Sequence, residues 1–458
     1  GGFEVRGPDS GLRVLGHPLG ADGYCRDFYM DKAVKTQTVV DKIIEVADYS
    51  NPVSIQAAYL QLRYCAEPKI AHLLRVGRPD LVAAAAAVHD TAIATGLNAL
   101  LGAADDLLHL RGDGSGANWT NVLQQRGHPP PSREFLDAIA GWALAQSRLP
   151  LRRGGLGLPA AADVSPAAYL GGMVVTATFL ARDSGATLPY NGETFSAALA
   201  SSELAHCVQA QHAWADCAAA IIAQSPDDMA ITLEEVIGCA SLSRLHTAKR
   251  RAQTLLSREM ADGRARHMLT TFRDMGAEGD RDTISAESEQ ARLRSSGGRG
   301  AAAWLRSMPS SYHTKAPNLH MRVMLQYWLG TIIPVLAIAP RECDCHWLRE
   351  RGPDGGPGLA DLRGRHDMVC TNTSGDKLKR HNSVLVAIRA SLSLLNIYSS
   401  MCNVLGIAQR GNQPRTQKQP DLAIYDFHRG GSSPTLLDAV FTDPTASSYR
   451  RNSSRSVG

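Results

Sequence analysis

The sequence predicts a mainly α protein with a C-terminal α+β domain, and three observations carry that prediction. Alanine is abundant while aromatics make up only 6%, a composition that favours helices packed through small side chains. Apolar residues recur at helical spacing over long segments in the first three quarters of the chain. After Pro340 the character changes to clustered cysteines, a basic helix and two short strand patterns, which together make a small α+β unit.

The elements follow in order. Residues 3–5 and 12–15, separated by Gly7-Pro8-Asp9-Ser10-Gly11, read as two short strands joined by a turn. Helices are expected over 27–47, 54–76 and 80–101. In the second, Ile55, Ala58, Leu62, Cys65, Ile70 and Leu73 keep helical spacing, and Pro68 should kink or split it. Asn51-Pro52 and Arg78-Pro79 punctuate these elements, as prolines at helix starts do. Residues 112–131 form a polar, Gly/Pro-rich loop, followed by a helix over 132–146 with Ser132 as its N-cap. The stretch 149–159 is a turn. Its Gly154, Gly155 and Gly157 lack the spacing of a phosphate-binding loop and read as backbone geometry. Helices are expected at 165–181, 241–275 and 318–329, with an apolar, alanine-rich stretch at 196–223 and a small-residue linker at 295–300. The basic residues Lys249, Arg250, Arg251, Arg258, Arg264 and Arg266 make either an RNA-facing surface or a solvated helix face.

At 458 residues, two or three domains are expected. Forty-four per cent hydrophobic and 20% charged residues argue against wholesale disorder. Nine cysteines, an odd number with no apolar leader before them, fit reduced thiols or metal ligation better than a secreted disulfide framework. On that reading Asn118-Trp119-Thr120 is a chance match to a glycosylation pattern. The longest apolar run, 82–88, is far short of a membrane span. The opening Gly1-Gly2-Phe3 and the last residues, 453–458, read as the ends of a fragment. From Pro340 onward 16 Lys/Arg face 11 Asp/Glu, a surplus larger than the net +4 of the whole chain. The positive field is therefore concentrated where a phosphate backbone would be attracted, or else forms a solvated basic surface.

Three constellations are candidates for chemistry. Cys343 and Cys345, His366 twenty residues on, and Cys370 supply three thiolates and one imidazole, the donor set of a closed tetrahedral Zn²⁺ site. The interval contains Gly352, Pro353, Gly355, Gly356, Pro357 and Gly358, so it can close on an ion at modest entropic cost. His346 is an alternative to His366, and unrelated cysteines are the bland reading. Asp421, after Pro420, and Asp438 each sit on an apolar strand pattern, joined by a turn through Gly430, Gly431 and Pro434. Two carboxylates on adjacent strands can share a divalent ion such as Mg²⁺, whereas an acid after proline is often only a turn residue. Lys377, Lys379, Arg380, His381 and Asn382 open a helix expected over 377–398. Cations and free amides there suit phosphate, and the bland alternative is solvated charge.

Taken in order, these motifs resemble non-LTR retrotransposons of the older, site-specific type, whose endonuclease follows the reverse transcriptase. Cys343/Cys345/His366/Cys370, then Arg380-His381-Asn382, then Pro420-Asp421 and Asp438 are similar to that family's CCHC knuckle, Arg-His-Asn motif and restriction-enzyme-like nuclease core. Upstream, the run from Leu12 to Gly20 resembles the strand turn after the polymerase palm, near the primer grip. Leu151-Arg152-Arg153-Gly154-Gly155-Leu156-Gly157-Leu158 is similar to segments behind that polymerase. The resemblance implies a palm remnant and helical thumb over 1–110 and a helical linker region over 111–339. It implies a zinc knuckle over 340–375 and a truncated restriction-endonuclease-like mixed sheet over 376–458. It further implies structural Zn²⁺, catalytic Mg²⁺ held by Asp421 and Asp438, and an intracellular, nuclear location. The implied partners are target DNA and the element's RNA, without a membrane, and the sequence sets no oligomeric state.

Two departures bear on activity. No Tyr-x-Asp-Asp motif of a polymerase active site is present, and Val440 stands where restriction-like nucleases commonly carry a lysine. A non-catalytic nucleic-acid-binding protein with a decayed nuclease fold is the rival reading, and an unrelated helical scaffold is a third.

Overall fold

A computed structural model of the chain describes residues 11–48, 54–102, 133–183, 205–222, 231–238, 252–274, 286–310 and 314–333. It also describes short segments at 342–343, 358–359, 363, 385–386, 388–389, 399–401, 422–424 and 435–437. The described chain is mostly helical, as its composition and periodicity predict. It divides into two compact units: Gly1–Ile332 with Ser453–Gly458, and Ile333–Asn452.

The first unit opens on a hairpin of β1 (Gly11–Val14) and β2 (His17–Gly20), in register Val14 with His17 and Gly11 with Gly20. The strand near residue 12 is present, but its partner lies downstream. Residues 3–5, expected to pair with it, lie outside the described residues. The turn is Leu15-Gly16, with φ of 49° and 84°, a pair of left-handed residues that matches the twist of a two-residue hairpin.

Helix α1 (Asp22–Asp48) packs along α4 (Pro79–Leu100), and between them in sequence run α2 (Ser54–Gln61) and α3 (Ala71–Val76). The segment joining α2 to α3 carries the break that Pro68 demands. A π turn, Leu62–Ala66, is followed by a 3₁₀ turn, Glu67–Ile70. Proline has no N–H and its ring collides with the carbonyl four residues back, so the ladder widens before it and tightens after it. Helix α4 buries Leu81, Val82, Ala85, Ala86, Ala92, Ile93, Leu97 and Leu100, a stripe of helical period. A side chain at Gly96 would come within 3.0 Å of Leu62 and Val40, so glycine is what lets α1 and the π turn approach α4.

Next come α5 (Arg133–Arg148), α6 (Ala161–Asp183), α7 (Ala205–Ile222), α8 (Leu233–Gly238), α9 (Ala252–Asp274), α10 (Ala286–Ser296) and α11 (Asn318–Leu329). The last has the bounds read from the sequence. Helix α9 is described from Ala252; residues 241–251 of the helix expected from 241, and Ser132, the expected N-cap of α5, lie outside the described residues. Residues 295–300 are less a linker than the end of α10 and the turn after it. One apolar cluster gathers Val40, Ile55, Tyr59, Leu97 and Leu100 with Ala143, Leu156, Leu305, Met321 and Leu325. The helices before residue 110 therefore share a core with those after it. A second cluster joins α6, α7, α8 and α9 through Leu170, Ala213, Cys217, Val236 and Leu256.

In the second unit, β3 (Glu342–Cys343) pairs antiparallel with β4 (Gly358–Leu359). A separate three-stranded antiparallel sheet runs β5 (Ser399–Met401), β6 (Leu422–Ile424), β7 (Thr435–Leu437), with β6 central. Of the helix expected over 377–398, residues 385–386 and 388–389 are helical.

Candidate functional site

Most of the sequence-derived site falls where little is described. Cys343 lies in β3, paired with Gly358. Cys345, His366, Cys370, Lys377, Lys379, Arg380, His381, Asn382, Asp421 and Asp438 all lie outside the described residues. No group of three or more His, Cys, Asp or Glu gathers among the described residues. What is described around the acids is their strand pair. Leu422 faces Leu437 across the ladder, Ala423 faces Leu436 and Ile424 faces Thr435. Asp421 is the residue before Leu422 and Asp438 the residue after Leu437.

The turn at 149–159 is built around its glycines. Gly154 and Gly157 have φ of 80° and 68°, in the left-handed region. A Cβ on Gly155 would lie 1.9 Å from the Leu149 carbonyl oxygen. The amides of Leu156 and Leu158 both donate to the Ser147 carbonyl at 3.2 Å, folding the turn back onto the end of α5. The Gln146 side chain donates to the Gly154 carbonyl at 2.7 Å and to the Trp328 carbonyl at 3.0 Å. Arg292 of α10, itself buried, donates to the Gln146 Oε1 at 2.8 Å and to the same Trp328 carbonyl. Its charge is met by Glu289 one turn earlier, at 2.8 Å. Tyr59, fully buried, donates its hydroxyl to the Leu156 carbonyl at 2.8 Å. The glycines are backbone geometry, as their spacing implies.

Three arginines meet at one acid beside this turn. Arg152 and Arg153 stand on a short 3₁₀ turn, Leu151–Arg153, and Asp262 lies on α9. Arg153 grips the carboxylate with two bonds, Nε to Oδ1 at 2.8 Å and Nη2 to Oδ2 at 2.7 Å. Arg152 Nη1 lies 3.0 Å from Oδ1, and Arg258, one helical turn before Asp262, reaches 4.0 Å. The Asp262 side chain is 7% exposed, whereas those of Arg152 and Arg258 are 45% and 63% exposed. Burial alone would raise the Asp262 carboxyl. The Arg153 hydrogen bond and the charges of Arg152, Arg153 and Arg258 outweigh it and hold the acid below its usual value. Sequence reasoning missed this group, although the adjacent arginines and the i,i+4 pair of Arg258 with Asp262 were visible signals.

A second buried group lies at the Pro68 break. Burial, with the nearby charge of Asp90, pushes Glu67 up to about 7 against the opposing pull of Arg63. Burial takes His89 down to about 4, although its ring donates to the Glu67 carbonyl. The Asp90 carboxylate accepts from the Ala161 and Ala162 amides at 2.5 and 3.0 Å, so it caps α6 from another helix. Polar contacts thus tie the break, α4 and the start of α6 together.

No family model, no curated protein and no solved structure matches the chain. The described residues contain no helix long and apolar enough to cross a membrane.

Proposed function

We propose that the chain is the C-terminal part of a retrotransposon reverse transcriptase and endonuclease of the non-LTR type, and that its second unit nicks target DNA to prime reverse transcription. The register of β6 with β7 carries this reading. Leu422 opposite Leu437 is the last described pair, and covalent connection keeps Asp421 and Asp438 each one residue, about 3.8 Å in Cα spacing, beyond it. In this reading the two carboxylates share a divalent ion beyond that pair, and the Leu422–Leu437 register is what supports it. Supporting it is the pairing of Cys343 with Gly358, which sets the backbone of the first thiol beside a glycine of the interval that precedes His366.

In this reading Cys343, Cys345, His366 and Cys370 hold Zn²⁺, which shapes a loop-rich segment. Mg²⁺, when bound, supplies an activated water and stabilises charge on the phosphate. Asp421 and Asp438 provide the carboxylate oxygens, and Lys377, Lys379 and Arg380 draw the DNA backbone to them. The element's RNA is the second partner and the nucleus the site of action. The finer architecture that belongs to this proposal is a helical thumb and linker, a zinc knuckle and a small restriction-endonuclease-like mixed sheet.

The test is supercoiled-plasmid nicking by the full chain with Mg²⁺. Asp421→Ala and Asp438→Ala should each lower nicking by about a hundredfold or more, on the order expected when an essential metal ligand is lost. Nicking unchanged in both variants would remove the assignment. Val440, where a lysine is common, favours a second reading as a non-catalytic nucleic-acid-binding protein. Salt-sensitive DNA binding without Mg²⁺-dependent cleavage selects that one.

A further inference from the structure

We propose that Arg152, Arg153 and Arg258, ordered around Asp262, form a binding surface for a nucleic-acid phosphate backbone on the first unit. This surface is separate from the nuclease reading and does not depend on it. The case begins with donors. A guanidinium carries five N–H donors in a planar fork, and a carboxylate has only two oxygens to meet them. Arg153 uses two donors on Asp262, Arg152 approaches with one nitrogen, and Arg258 reaches only 4.0 Å. Among the described residues, most donors of Arg152 and Arg258 are therefore left for another acceptor, and their side chains are 45% and 63% exposed.

Charge points the same way. Among the described residues, the acids acting on Arg153 are Asp262 and Glu259, and three arginines converge on Asp262. Arg264, further along α9, is occupied by Asp163 at 3.4 Å and is not counted. Guanidinium pairs with phosphate through parallel bonds, so the ligand that completes the set is a phosphodiester oxygen pair.

Order is the third part. Asp262 is buried and Arg153 is clamped to it. The turn carrying both arginines is fixed by Gln146 and by glycines with no room for a side chain. The side-chain entropy that a flexible surface arginine loses on binding is here partly lost in folding. Asp262 is thus a positioning residue, and Arg152 and Arg258 touch the phosphates.

Fluorescence anisotropy with a short labelled single-stranded RNA, and with DNA of the same sequence, tests this on the full chain. The background carries Lys377→Ala, Lys379→Ala and Arg380→Ala, so that failure of the DNA grip proposed for the second unit leaves this readout intact. Added to it, Arg152→Ala with Arg258→Ala should weaken binding on the order of tenfold. The slope of log affinity against log salt should fall by about one for each phosphate that is no longer neutralised. Arg152→Lys with Arg258→Lys should restore the slope, because the point charges remain. Removing exposed charge elsewhere, through Lys35→Ala with Lys42→Ala, should change neither. Weakening with RNA and DNA alike identifies a shared backbone site, and weakening with one alone identifies which polymer it serves. Unchanged affinity and slope with both, in a variant whose circular dichroism matches the parent, overturns the proposal.

Discussion

Glu67 shows how a single residue reports on its surroundings. It sits where Pro68 has broken the helix, and burial together with the Asp90 charge lifts its carboxyl from 4.5 to about 7. The linkage has a definite sign. A folded value above the unfolded one means Glu67 favours the native state below about pH 4.5 and progressively disfavours it as pH rises through about 7. Glu67→Gln should therefore stabilise the protein above pH 7, on the order of 1–2 kcal/mol after allowing for its partial exposure. The gain should vanish below pH 4.5. Urea midpoints measured across that range check it, and a gain independent of pH would mean the carboxyl is not perturbed. None of this is legible in the sequence. The sequence shows an acid before a proline, but the Asp90 and His89 side chains that surround it arrive on another helix.

At the scale of elements, the hairpin and the Pro68 break show the two ways local chemistry is read. Pro68 has one physical consequence wherever it stands, so the split helix is predictable, although the π turn that absorbs it is not. The hairpin escapes such reading because Leu15-Gly16 is an unusual turn pair. Asn-Gly is the familiar signal, and leucine in the left-handed region is disfavoured by its Cβ. Leu15 is 94% exposed, so its side chain contributes no packing that offsets this strain. Leu15→Asn should stabilise the hairpin by about 0.5–1 kcal/mol, since asparagine tolerates left-handed backbone. The readout is hydrogen exchange at the Val14–His17 pair, which should slow. Exchange that quickens instead would mean Leu15 makes interactions the turn needs.

For the whole molecule, the proposed reading assigns the two units different sources of stability. The first has extended apolar clusters drawn from many helices, with Tyr29, Tyr59, Phe272 and Leu156 among its fully buried side chains. Such a core stabilises itself through burial of about 25 cal/mol per Å² of apolar surface. The second, in the proposed reading, leans on Zn²⁺ to fold a glycine-rich segment. Stripping divalent metal with a chelator should therefore cut amide protection within residues 333–452 and leave the first unit's core unchanged. Equal protection in both units before and after chelation would count against the zinc site.

The sequence by itself determined the helical class, the bounds of Asn318–Leu329, the break at Pro68 and the pairing of strand patterns expected around 421–425 and 436–442, whose described bounds are 422–424 and 435–437. Each follows from forces acting within a few residues or across one short turn: i,i+4 hydrogen bonds, an apolar stripe, a missing N–H, a period of two. Only the tertiary structure decided which polar groups satisfy one another. Asn318 accepts from the Ile55 amide at the start of α2, Asp90 caps α6, Arg292 finds Gln146, and three arginines find Asp262. A buried donor is satisfied by whatever acceptor packing brings to it, and that acceptor is set by which helices meet, not by distance along the chain.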